Sequence, residues 1–205
     1  MNEKTIQELL AEVKEDKKDN LRTTSFKFKT DLWNFFSEEG KFPFRDKNAV
    51  EFGTHKGQTT RIMAHLFKNV YTVNLPNHFD EAMFLNQDME NIHYIPMDLY
   101  QTEVDDNFKH EPITMFFIDA LHTFEGIMSD VTRCLNMKLA KGDNFIIFDD
   151  YGQSSREVFM AVNQLIKVGQ LERVIYIGHP PYYSFGGNPE RKLEDHEGII
   201  CKIIK

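Results

Sequence analysis

From residue 48 onward, short apolar runs alternate with amphipathic stretches. The apolar runs fall at 48–52, 70–74, 92–95, 113–118, 144–148, 172–177 and 198–204. Their lengths and their Val, Ile, Phe and Tyr content predict strands. Helical spacing of apolar residues covers 58–68, 79–89, 100–108, 124–138 and 155–168. Strands alternating with helices predict a parallel sheet with right-handed crossovers. The runs 113–118 and 144–148 are apolar on both faces, as central strands are. No helical pattern separates the last two strands, which predicts an antiparallel pair at one edge. The expected fold class is α/β, a doubly wound sheet of about seven strands, mostly parallel, with an antiparallel edge strand and N-terminal helices.

The N-terminal part reads differently. Ile6, Leu9, Leu10 and Val13 recur at helical spacing among charges, and the charged run 12–19 reads as a solvated helix end or linker. A second amphipathic helix is expected over 28–39 around Leu32, Trp33, Phe35 and Phe36, stopped by Gly40. This gives an N-terminal helical extension, residues 1–47, before a domain spanning 48–205. The connection 178–197 carries His179, Tyr182, Tyr183 and Phe185, and is either a lid or an ordinary excursion.

At 205 residues the chain can bury a core without disulfides or structural metal. The net charge of −8 argues against nucleic acid held by its phosphates and against an anionic membrane. Cys134 and Cys201 are too few for a disulfide framework, which fits a reduced, cytoplasmic setting. No apolar run reaches transmembrane length and no secretory leader is evident. Most of the 18 phenylalanines are expected in the core.

Open parallel sheets bind ligands beyond the carboxyl ends of their strands. The first strand ends at Glu51-Phe52-Gly53, and Gly57 follows before the helix. Two glycines let a ligand approach bare backbone, while Thr59 and Thr60 in the first helical turn add hydroxyls near orphan N–H groups. The third glycine of a dinucleotide fingerprint is missing, so the turn points to an adenosyl ligand without a pyrophosphate. S-adenosylmethionine (SAM) is the obvious candidate. Asn74 ends the second strand, where such sites usually place an acid on the ribose. It either replaces that acid or is a turn residue. Asp98 either accepts from the adenine amino group or caps a following helix.

Asp119 ends the fourth strand, and Asp149 and Asp150 end the fifth. Neighbouring strands would bring these carboxylates together, where like charges raise one another's pKa and a divalent cation relieves the repulsion. Oxygen ligands favour Mg²⁺, Mn²⁺ or Ca²⁺ over Zn²⁺. Otherwise Asp119 caps a helix and the Asp pair shapes a turn. His122, three residues after Asp119, can act as a general base.

The segment Glu51-Phe52-Gly53-Thr54-His55-Lys56-Gly57 resembles the first motif of class I SAM-dependent methyltransferases, which have a Rossmann-like fold. The run 117–126, then Asp130, then 139–151 with its Phe148-Asp149-Asp150-Tyr151 end, resembles the metal-dependent O-methyltransferases of the macrocin and cephalosporin-biosynthesis type. That resemblance implies Mg²⁺ on Asp119, Asp149 and Asp150, and His122 as base. The expected activity is O-methylation of a small hydroxylated substrate, sugar- or polyol-like, with Glu51, Gly53, Thr54, Gly57, Thr59, Thr60, Asn74, Asp98 and Asp119 on the cofactor. A homo-oligomer is left open. The rival readings are a SAM- or nucleoside-binding protein of the same fold without catalysis, and a nicotinamide-dependent oxidoreductase.

Overall fold

Among the described residues, the apolar runs form seven strands in one sheet: β1 (Asn48–Phe52), β2 (Asn69–Asn74), β3 (Ile92–Pro96), β4 (Ile113–Ile118), β5 (Phe145–Phe148), β6 (Leu171–Ile177) and β7 (Gly198–Ile203). Among the described residues, six helices accompany them: α1 (Ile6–Glu12), α2 (Phe26–Phe36), α3 (Gln58–Leu66), α4 (Asp80–Leu85), α5 (Phe124–Asn136) and α6 (Arg156–Lys167). The computed structural model describes residues 4–13, 24–37, 44–101, 111–152, 156–180 and 196–204. The helix expected at 100–108 and the aromatic residues Tyr182, Tyr183 and Phe185 therefore lie almost wholly outside the described residues.

The strand order is β3-β2-β1-β4-β5-β7-β6. Chain order reverses between β1 and β4, so the ligand crevice of a doubly wound sheet opens above these two strands. β4 and β5 are parallel neighbours, as their two-sided apolar pattern implied. The antiparallel pair at the edge is β6–β7, with β7 slotted between β5 and β6.

Alternation along each strand builds two cores. Val50, Phe52, Phe116, Ile118, Ile146 and Phe148 face α5 and α6. Ala49, Met115, Phe117, Phe145 and Ile147 face α1, α2 and α3. Phenylalanine fills much of the second core: Phe36 meets Phe44 and Phe145 edge-on, and Phe28 tilts against Phe117. Each such ring removes enough apolar surface from water to contribute roughly 2 kcal/mol.

Helix ends follow local chemistry. Thr5 and Glu8 form a reciprocal capping box at α1, and Ser25 caps α2 by accepting from the Phe28 N–H. The pattern predicted a helix over 79–89, but α4 stops at Leu85. There the Asn86 side chain takes over as donor to the carbonyls of Ala82 and Gly57, tying the short helix to the glycine turn. Among the described residues, no helix is long and apolar enough to cross a membrane.

Candidate active site

The turn after β1 is held in a conformation that excludes a side chain. Gly53 has φ 97°, and a Cβ there would run into the Asp119 carbonyl oxygen. The turn thus presses against the end of β4, and the Asp119 N–H bonds back to the Phe52 carbonyl at 2.8 Å. Gly57, at φ 73°, opens α3.

A cavity of about 690 Å³ lies beyond the ends of β1, β2, β3 and β4. Gly53, Asn74, Asp98 and Asp119 line it, together with Met97, Leu99 and Tyr100. A narrower cleft of about 20 Å³ shares Gly53, His55, Lys56 and Asp119 with it and continues past Glu51, Thr54, Gly57 and Thr59. Eight of the nine expected cofactor residues therefore border one or other space. Thr60 borders neither; it is fully buried and donates to Glu51 at 2.5 Å.

Glu51 is 1% exposed and also accepts from the Thr72 hydroxyl at 2.5 Å. Burial pushes its carboxyl up to about 8, although the Thr60 and Thr72 hydroxyls oppose the shift. Thr72 pairs in turn with Thr54 at 2.6 Å, so a line of hydroxyls braces the floor of the glycine turn. Asn74 accepts from the Leu75 N–H at 2.9 Å and donates to the His78 carbonyl at 3.4 Å, a turn role combined with its place on the cavity wall. Asp98 likewise accepts from the Tyr100 N–H at 2.9 Å.

At the end of β4, His122 reaches both acid positions. Its Nε2 lies 3.1 Å from Asp119 Oδ1 and its Nδ1 lies 2.9 Å from Asp150 Oδ2. The three side chains bring ligand-type atoms within 4.8 Å of one another, and all are partly exposed. Asp150 takes up this position through a left-handed backbone, φ 55°. Its hydrogen bonds with Asp119 and Asp150 push the His122 imidazole up to about 10. Protonated, it serves as counter-charge to both carboxylates. Asp149 sits deeper and does not join that trio. Among the described residues its buried Oδ1 has no hydrogen-bond partner, and burial beside the charges of Asp119, Asp150 and Glu197 pushes its carboxyl well up.

Two contributors carried no sequence signal. The Tyr100 hydroxyl donates to Asp130 at 3.3 Å and accepts from the Leu121 N–H at 3.1 Å, fastening the cavity wall to the loop that carries Asp119 and His122. Asp130 stands in the sequence motif, but nothing there announced Tyr100 as its partner. Thr24 borders the narrow cleft from the N-terminal side.

Residues 50–151 match a family model described as a methyltransferase domain. No curated protein matches the chain in sequence. Among solved structures, the chain is similar to the N-methyltransferase NodS of Bradyrhizobium japonicum WM9 bound to S-adenosyl-L-homocysteine (SAH). The TM-score is 0.62 at 15% identity, covering 97% of this chain and 96% of that one. It is also similar to the tRNA (m1A58) methyltransferase TrmI of Aquifex aeolicus, with a TM-score of 0.57 at 16% identity over 98% and 77% of the two chains. Fibrillarin of Aeropyrum pernix, solved with bound SAM, gives 0.55 at 16% identity over 83% and 71%.

Proposed function

We propose that this chain, a class I SAM-dependent methyltransferase by its fold and by the domain matched over residues 50–151, methylates a hydroxyl oxygen of a small sugar-, polyol- or catechol-like substrate with the help of a divalent cation. The observation that carries the reading is the meeting of Asp119, His122 and Asp150 beside a cavity that also includes Gly53. Asp119 belongs to both, so the acceptor and the methyl donor share a wall.

The residues fit a cation. Asp149 keeps a buried oxygen that has no hydrogen-bond partner among the described residues, in a rim that already gathers Asp119, Asp150 and Glu197. Asp119, Asp149 and Asp150 would hold the ion, and Mg²⁺ suits an all-oxygen set. Such an ion would supply Lewis acidity that eases deprotonation of the acceptor hydroxyl. SAM supplies the activated methyl group.

The chain's own residues do the rest. Gly53 and Gly57 open the approach to the backbone, and Asn74 and Asp98 offer polar groups on the adenosine side. With a cation as counter-charge to Asp119 and Asp150, His122 would be available to take and hold the acceptor's proton. Holding the two reactants in register supplies much of the acceleration. The net charge of −8 favours a small acceptor over RNA, whose phosphates it would repel.

The test is SAH release from SAM with panels of catechols, sugars and polyols, in Mg²⁺ and in EDTA. Turnover on an oxygen acceptor that stops on chelation is expected. Transfer that ignores EDTA, or that occurs only on nitrogen or RNA acceptors, would refute the proposal. A rival reading, a cofactor-binding protein without catalysis, draws on Asn74, whose amide is already engaged in its turn. SAH binding indifferent to Mg²⁺, with no turnover on any acceptor, would favour that rival.

A further inference from the structure

The N-terminal segment behaves as part of the site rather than as an appendage. Thr24 is 2% exposed, and its hydroxyl lies 2.7 Å from that of Thr59 in the first turn of α3. Both residues border the narrow cleft beside Glu51 and Asp119. That cleft, about 20 Å³, has room for one water-sized polar group. It shares Gly53 and Asp119 with the larger cavity, so a ligand whose nucleoside fills the larger space extends its other end toward Thr24.

Two buried charges hold Thr24 there. Lys29 is fully buried in α2, and its ammonium donates to the Thr24 carbonyl. The next residue, Ser25, donates to Glu197 twice, through its N–H and its hydroxyl, both at 2.6 Å. Glu197, 7% exposed, also accepts from the His179 N–H at 2.8 Å. A cation on one side and an anion on the other thus fix a two-residue segment against the glycine turn. Burying a charge is costly unless it is hydrogen-bonded, and Lys29 and Glu197 make such bonds to residues 24 and 25.

We infer that Thr24 contacts the aminoacyl end of the cofactor, with Lys29 and Glu197 as positioning residues that act through Thr24 and Ser25. The inference rests on the methyltransferase reading and adds a wall that residues 50–151 do not contain. It implies that the chain tells SAM and SAH from nucleosides lacking the amino-acid end by means of its N-terminal segment.

The experiment compares calorimetric affinities for SAH and for 5′-methylthioadenosine, which has the nucleoside and sulfur but no aminoacyl group. Thr24→Val should weaken SAH by about tenfold, the size of one lost hydrogen bond in a buried site. It should leave 5′-methylthioadenosine within twofold, and Thr24→Ser should restore SAH. Lys29→Met should show the same selective loss, and a thermal melt shows whether it folds; Thr24→Val carries the test if it does not. Unchanged SAH binding by Thr24→Val, or equal weakening of both ligands, would overturn the inference while leaving the methyltransferase reading in place. A wild-type chain that binds neither ligand would overturn both.

Discussion

Across the gap between β4 and β5, the carboxylate of Asp150 stands 2.9 Å from Nδ1 of His122. Asp150 makes the contact from a left-handed backbone, φ 55°, just past the end of β5. Proton transfer by a positioned side chain is worth roughly 10²- to 10⁴-fold. Replacing His122 by Ala is therefore expected to lower kcat by at least about 10²-fold. SAH affinity should change little, because His122 does not border either cavity. Steady-state kinetics paired with calorimetry measures both; an equal loss of binding would move His122 into the cofactor site.

Gly53 offers a steric test. An added Cβ meets the Asp119 carbonyl, and φ 97° is strained for any L side chain. Gly53→Ala is expected to push the glycine turn away from β4, abolish SAH binding and lower the melting temperature. Gly142 has a similar φ, 95°, but a Cβ there meets nothing within 4 Å. Gly142→Ala should therefore cost only the local strain, and differential scanning fluorimetry of the two variants checks the contrast.

Glu51 sets a pH dependence of stability. Burial raises its folded pKa to about 8, so between the ordinary glutamate range and that value the folded chain keeps a proton that the unfolded chain releases. The Glu51 contribution to stability is thus greatest in acid, declines as pH rises toward 8 and is flat above it. Glu51→Gln keeps the shape without the titration. At pH 8 it is expected to be more stable than wild type by on the order of 3 kcal/mol, with the difference vanishing near pH 4. Urea unfolding across this range reads the effect.

Arg61 works in the opposite sense. Its side chain is 6% exposed and joins Glu12 of α1 at 2.8 Å and Asp88, beyond α4, at 2.8 Å. The hydrogen bond from Arg61 holds the Asp88 carboxyl down at about 2. A lowered folded pKa stabilises above the unfolded value and is lost as pH falls through the folded one. Arg61→Met should cost about 1 kcal/mol at neutral pH, because Glu12 and Asp88 are exposed enough for water to solvate them once the guanidinium is gone. Its deficit relative to wild type should shrink between pH 4 and pH 2, as measured by denaturant midpoints.

Much of this was legible in the chain because the signals are local. The run 48–52 became β1 without adjustment, and the two-sided apolar runs became adjacent central strands. Gly53, Asn74, Asp98 and Asp119 could be placed on the cavity because parallel strands all end at the same rim. What escaped depends on contacts between distant positions. Thr24 meets Thr59 across 35 residues, and Ser25 meets Glu197 across 172. Helix α4 ends early because Asn86 has a partner in Gly57, which no helical period records. Asp149 and Asp150 are adjacent in sequence but differ in depth past the end of β5: Asp149 is buried, and Asp150, in a left-handed conformation, is partly exposed.

The most direct test is a co-crystal grown with SAH and Mn²⁺, examined by anomalous scattering. The expected result is SAH in the cavity bordered by Gly53 and Asp98, with one anomalous peak bound by Asp119, Asp149 and Asp150 and His122 released from at least one of its acids. A nucleoside elsewhere, or SAH in place with His122 still bridging Asp119 and Asp150 and no peak between them, would contradict the account.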